Sequence, residues 1–231
     1  VNFLTNIINN TGNQPLKNYF LFILSASLCA YNHYFSLLFA FIAGLSGLFM
    51  INKKYLTGYI LSGFIVFLLY IPHLTIFIGH LKLGGVGAWL GKPQNTFIAD
   101  YLFYIFNFSV LSLIVATALT TFGIINRKNN NFSIKSLILF TLWFSFPLIT
   151  GFLYSKYISA VLQFSVLIFS FPYLLFILFG HIRVQSQLIN MILVTFILIA
   201  NIYSLTIERK HYDLFYNSPY EHIVTDFKKL S

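Results

Sequence analysis

Six long stretches of the chain contain no Asp, Glu, Lys or Arg: residues 18–52, 55–81, 101–126, 136–155, 157–182 and 184–207. Each is long enough to cross a hydrocarbon layer of about 30 Å, which takes roughly 20 helical residues. The first stretch is too long for one ordinary span, and Tyr31, Asn32, His33 and Tyr34 interrupt its middle with polar and interfacial side chains. It is therefore predicted to be two short helices. The pattern as a whole predicts an all-α fold, a polytopic transmembrane bundle of about seven helices over residues 1–206, followed by a polar tail, 207–231.

The remaining boundaries follow from the polar punctuation. Residues 1–18, with Asn9, Asn10, Gly12 and Pro15, read as a loop. A third crossing is expected over about 57–77, with a kink or a helix boundary at Pro72, because proline removes a helical donor. Residues 79–96 carry Gly84, Gly85, Gly87, Gly91 and Pro93 around Trp89, and read as a loop with an aromatic anchor. A fourth crossing begins amphipathically at 97–104 and ends near 125; the fifth, sixth and seventh cover about 136–154, 161–180 and 188–206. In the second helix Ala40 with Gly44 and Ala43 with Gly47 stand four residues apart, a spacing that lets helices approach closely.

Composition agrees with hydrocarbon as the solvent. Of the 231 residues 58% are hydrophobic and 8% charged, against about a quarter charged in soluble domains. The formal charge of +9 would point to nucleic acid in a soluble protein, but these basic residues flank the apolar runs. They read as membrane-flanking residues, so no nucleic-acid partner is expected. With the turn at 52–54 placed on the cytoplasmic side, alternation puts Lys17, Lys53, Lys54, Arg127, Lys128, Lys135 and Arg183 inside. Lys82, Lys92, Lys156, Arg209 and Lys210 fall outside. That bias orients the tail outward, in a plasma or inner membrane. The His33 break, the Trp89 loop and the tail then share the outer face.

Candidate chemistry is sparse. Cys29 is the single cysteine and lies in an apolar run, which excludes a disulfide framework and a thiol metal site. Asp100, the one acid between Val1 and Ile207, suits the first turn of a helix at the interface. His73 and His80 fall on roughly one helical face, but two histidines without a third ligand make a poor metal site, and helix-end packing is the preferred reading. His33 and Tyr34 at the helix break have two readings, contact with a phosphate or sugar and an interfacial polar break. Trp89 with Lys92, Pro93 and Gln94 likewise reads as a head-group contact or as a belt tryptophan. The glycines at 84, 85 and 87 lack the Lys and Ser/Thr of a phosphate loop. No catalytic triad or pair of nearby acids occurs before residue 208.

In order of features, residues 19–180 resemble the polyprenyl-phosphate-sugar-dependent membrane glycosyltransferases of the dolichyl-phosphate-mannose protein mannosyltransferase-like superfamily. The segments that carry the resemblance are LCAYNHYFSLLFAF, LLYIPHLTIF, GAWLGKPQNTFIADYLFYIF and SAVLQFSVLIFSFPYLLFIL. The sequence departs from that pattern with His73 where an aromatic is common and Ser165 with no nearby arginine where many relatives have one. The resemblance implies a lipid-linked sugar donor attacked at its anomeric carbon on the outer face. It also implies a catalytic acid upstream of Val1, hence no catalytic residue in this stretch, which would be the C-terminal part of the membrane domain. His33, Tyr34, Trp89 and Pro93 would shape the donor or acceptor groove. No cofactor is evident in these residues, and a divalent metal that sometimes assists such enzymes would be held by residues outside them. Two other readings stay open: a transporter or flippase of lipid-linked saccharides, and a noncatalytic membrane subunit.

Overall fold

The computed structural model describes residues 15–82, 90–125, 133–182, 186–216, 223 and 226–229. These are mostly helical with no strand among the described residues, so the fold is all-α. The helices are α1 (Pro15–Asn32), α2 (Tyr34–Leu48), α3 (Lys53–Lys82), α4 (Phe97–Ile105), α5 (Val110–Ile125), α6 (Ile134–Tyr157), α7 (Phe171–Phe179), α8 (Gln187–Tyr203) and α9 (His211–Tyr216). A 3-10 turn, Ser165–Phe169, precedes α7, and a π-helical turn, Ser204–Glu208, extends α8.

Among the described residues three helices are long and apolar enough to cross a membrane: α3, α6, and α8 with its π turn. The α4–α5 pair, bent by 81°, makes a fourth if it counts as one span. Their outward surfaces are apolar. Ile60, Leu61, Phe64 and Phe67 of α3 are each more than half exposed, while Tyr59, Ser62 and Tyr70 on the same helix are buried. Such an inverted distribution is stable only where the surroundings are hydrocarbon, and the chain is a membrane protein.

Several helix boundaries differ from those expected. At 18 and 15 residues, α1 and α2 are short, as anticipated, and they part at His33 alone. Pro15 opens α1, where a missing N–H costs nothing; 15–18 are thus helical rather than loop, and 1–14 lie outside the described residues. Pro72 does not end the third helix. Unwinding it in hydrocarbon would strand several backbone groups, so α3 runs on through the proline to Lys82. Near this point the Tyr31 hydroxyl donates to the Leu69 carbonyl at 2.6 Å. Residues 79–82, expected in a loop, therefore belong to α3.

The sixth run is not one helix. Pro172 favours a helical first turn and starts α7 only at Phe171. Before it the chain leaves α6 through a non-helical stretch, whose Val161 N–H donates to the fully buried hydroxyl of Ser155 in the last turn of α6 at 3.2 Å.

The chain divides into two compact units, Val1–Asn95 with Phe132–Ile177 and Thr96–Asn131 with Leu178–Ser231. In the first, α1 packs on α2 and α3, and α2 packs on α6 and the 3-10 turn. Ala43 and Gly47 are buried in α2. Trp143 of α6 donates its indole N–H to Ser46 at 3.0 Å. In the second unit α8 packs on α5. The bend between α4 and α5 places Asn107 and Phe108 at φ +60° and +52°, a region that costs a non-glycine residue about 1–2 kcal/mol. Asn107 donates to Ser204 at 2.7 Å, and the Arg209 guanidinium lies 4.8 Å from the Phe108 ring centre. His181 is buried beside Gly123, with a ring nitrogen 3.1 Å from the Thr120 carbonyl.

Candidate functional site

The single-residue break at His33 is built by its neighbours. His33 is extended (φ −163°, ψ 153°) and caps α2 by accepting the Phe35 N–H at Nδ1, 3.1 Å away. Its own N–H donates to Ser36 Oγ at 2.9 Å, and that oxygen also lies 2.5 Å from the Cys29 carbonyl and 2.7 Å from the His33 carbonyl. One fully buried hydroxyl thus serves the polar groups that the break frees from both helices. The imidazole stacks on Phe35 and on Phe169 of the 3-10 turn, with ring centres 5.9 and 6.1 Å away.

Around this break α3 folds back and brings four side chains on one face. Tyr70, His73, Phe77 and His80 follow the three-, four- and three-residue steps of a helical stripe. Tyr34 packs edge-on to Phe77 at 5.1 Å and its hydroxyl hydrogen-bonds His80 Nδ1. Tyr31 packs on Tyr70 at 5.5 Å and on His73 at 5.4 Å, and Tyr70 meets His73 edge-on at 5.4 Å. The result is a cluster of phenols and imidazoles at one end of α1–α3, with Tyr31, His33 and His80 exposed and Tyr34 and His73 half-buried.

Of the four residues expected at a substrate groove, His33 and Tyr34 enter this cluster. Pro93 is half-buried in a non-helical stretch after Gly91, whose φ of +66° sets the turn, and it is not among the ring or hydrogen-bond partners just described. Trp89 lies outside the described residues. Lys92 and Gln94 are exposed, and Asn95 beside them accepts from Lys156. Asp100 is exposed in the first turn of α4. His73 and His80 do lie on one face, where they pack against tyrosines at a helix end; among the described residues no group of three His, Cys, Asp or Glu side chains could hold a metal ion. The sequence signal for the wider cluster was present in the 70/73/77/80 spacing.

His33 titrates in a telling direction. Although one edge of the ring is exposed, desolvation of its covered side pushes its pKa below the ordinary histidine value. The folded protein therefore favours the neutral ring, which the capping bond to Phe35 requires. The contribution is fully present above about pH 6.5 and is lost as the pH falls through the lowered folded value. Exchange of the Phe35 amide, corrected for its intrinsic rate, is expected to quicken between pH 7.5 and 5.5. In a His33→Asn variant, which caps without titrating, that pH dependence should vanish. Equal pH dependence in both proteins would refute the assignment.

No protein-family model, curated protein or solved structure matches the chain. What the fold defines is the class: an all-α membrane protein whose first unit carries a tyrosine and histidine cluster at a helix break.

Proposed function

We propose that this chain is part of a membrane enzyme that transfers a sugar from a polyprenyl-phosphate-linked donor to an acceptor at the outer face of a plasma or inner membrane, with the C-terminal tail extracytoplasmic. The observation that carries this reading is the cluster of Tyr31, His33, Tyr34, His73 and His80 around the break between α1 and α2. Phenol and imidazole groups both donate and accept hydrogen bonds, and their ring faces suit the apolar faces of a sugar. No Asp or Glu is among the cluster's partners described above, and the acid or base of the transfer is assigned to residues outside the cluster. Trp89 and Pro93 are retained as groove residues of this proposal.

The test is transfer of a radiolabelled sugar by the full-length protein in lipid nanodiscs. The expected result is donor-dependent consumption of the polyprenyl-phosphate sugar, reduced about tenfold or more by Tyr34→Phe with His80→Ala, the size of effect one positioning or proton-transfer group commonly has. Intact lipid-linked sugar moved across a vesicle bilayer without cleavage would replace the enzyme by a transporter. No turnover and no movement would leave a binding subunit.

A further inference from the structure

All five acids of the chain belong to the second unit, and the first contains seven lysines and no carboxylate side chain. Four of those lysines lie at one end of it. Lys17 enters there with α1, and Lys53 and Lys54 with α3, because the two helices run side by side in the same direction. The Tyr19 hydroxyl donates to the Tyr55 carbonyl at 3.3 Å near their starts, and Tyr31 donates to Leu69 further on. Their approach is close, since a Cβ on Gly58 would lie 3.0 Å from Cζ and from the hydroxyl of Tyr19. Lys135 arrives with α6, which runs antiparallel to α2: Trp143 bonds Ser46 and Gly151 faces Phe35, so α6 starts where α2 stops. All four lysines are exposed, and none makes an ion pair with a described residue. Each stands in the first turn of its helix, where the dipole already concentrates positive charge and favours an acid, yet none of these first turns has one. The negative charge that would balance them must come from outside the unit.

We infer that this end of the first unit is a docking surface for anionic phospholipid head groups, with their phosphates over Lys17, Lys53 and Lys54 and their acyl chains against the apolar side chains beside those lysines. Charge complementarity demands an anion, and the neighbours of the lysines demand hydrocarbon. Leu16, next to Lys17, is 84% exposed, Phe49, in the turn before Lys53, is 91% exposed, and Ile134, next to Lys135, is 68% exposed. A nucleic acid or an acidic peptide would neutralise the lysines and leave these three side chains in water. A leaflet of anionic lipid presents both chemistries, negative charge in one layer and hydrocarbon immediately beneath it. At the opposite end of the unit the half-buried Lys156 already donates to Asn95 and lies 5.4 and 5.6 Å from the ring centres of Phe152 and Tyr157. A weaker hold on head groups is expected there. The docking requires no sugar transfer and is the same for either orientation of the chain.

The test reconstitutes the full-length protein in phosphatidylcholine bilayers with a trace of spin-labelled phosphatidylglycerol or spin-labelled phosphatidylcholine, and reads the motionally restricted fraction of each by electron paramagnetic resonance. The wild-type protein should favour phosphatidylglycerol about fivefold or more, the contribution of one lysine beside an anionic surface. In 1 M salt, where the screening length is about 3 Å, the preference should fall towards parity. Replacing Lys17, Lys53 and Lys54 together by Gln should remove at least half of it, whereas replacing the same three by Arg should keep it. Replacing Lys82, Lys92 and Lys156 by Gln should cost less than the first triple. The inference is overturned by a wild-type protein without the preference, by a preference unchanged in 1 M salt or in the first Gln triple, or by an equal or larger loss in the second. Binding of a single-stranded oligonucleotide or of polyglutamate to the reconstituted protein, lost in the first Gln triple, would assign the surface to a soluble polyanion and equally overturn it.

Discussion

Gly151→Leu is expected to abolish the folded first unit, lowering stability by at least about 2–3 kcal/mol. A Cβ at position 151 would lie 2.5 Å from Cε1 and 2.9 Å from Cζ of Phe35, and 3.1 Å from Cδ1 of Leu162. Phe35 is 8% and Leu162 5% exposed, so neither can swing out to make room. Overpacking a dense interior costs about 1–3 kcal/mol for small insertions, and leucine adds four carbons at a contact that even alanine would crowd. The strain would also reach the break, because Phe35 is the residue whose N–H His33 caps. Thermal unfolding in detergent, followed by light scattering and near-UV dichroism, checks this. Gly79→Ala is the control: a Cβ there meets nothing within 4 Å, and the substitution should be neutral or slightly stabilising through helix propensity. A variant Gly151→Leu with unchanged thermal stability would show that α2 and α6 do not approach as described.

Trp143→Ala should cost about 3–5 kcal/mol, the usual range for removing a buried aromatic. Trp143 is 3% exposed and stands at the centre of an aromatic group, 5.0 Å from Tyr173, 6.0 Å from Phe140 and 6.3 Å from Phe39. In a membrane the hydrophobic drive between helices is weak, so the loss here is mainly of dispersion contacts that lipid tails cannot replace in a sealed interior. Trp143→Phe keeps one aromatic ring and removes the bond to Ser46 with a smaller part of the packing than alanine does; the Ser46 hydroxyl still donates to the Ala43 carbonyl at 2.7 Å. Its expected cost is about 1–2 kcal/mol, one net hydrogen bond plus a partial void, and so clearly below that of alanine. The ratio of the two losses, read from denaturant titrations of each variant, separates packing from hydrogen bonding. Similar losses in both would mean that the indole bond, and not the packing, holds α2 to α6.

The two readings of His33 and Tyr34, a ligand contact and a plain interfacial break, meet in one structure. The break satisfies its own backbone through Ser36, which explains why polar residues sit there without any ligand. The residues that give the site its extent, Tyr70, His73 and His80, lie 36 or more positions further along the chain. His73 and His80 read as packing residues in sequence, and they do pack; what they pack against are phenols, with no carboxylate among the partners described.

Charge-free runs report one quantity directly, the stretch of chain that hydrocarbon can solvate, and from it follow the all-α class, the membrane as solvent and the separation of α1 from α2 at a polar break. Runs of this kind carry no information on whether the helix within them is straight. Pro72 leaves α3 continuous, whereas the run expected as the fourth span turns through 81° at residues with positive φ, beside a bond from Asn107 to Ser204 that joins positions 97 residues apart. The sixth run, read as a span, becomes a 3-10 turn and a nine-residue helix. Bends and the tyrosine and histidine cluster arise from contacts between distant segments. Local hydrophobicity fixes which solvent each residue can tolerate, and only tertiary packing decides which partner it meets.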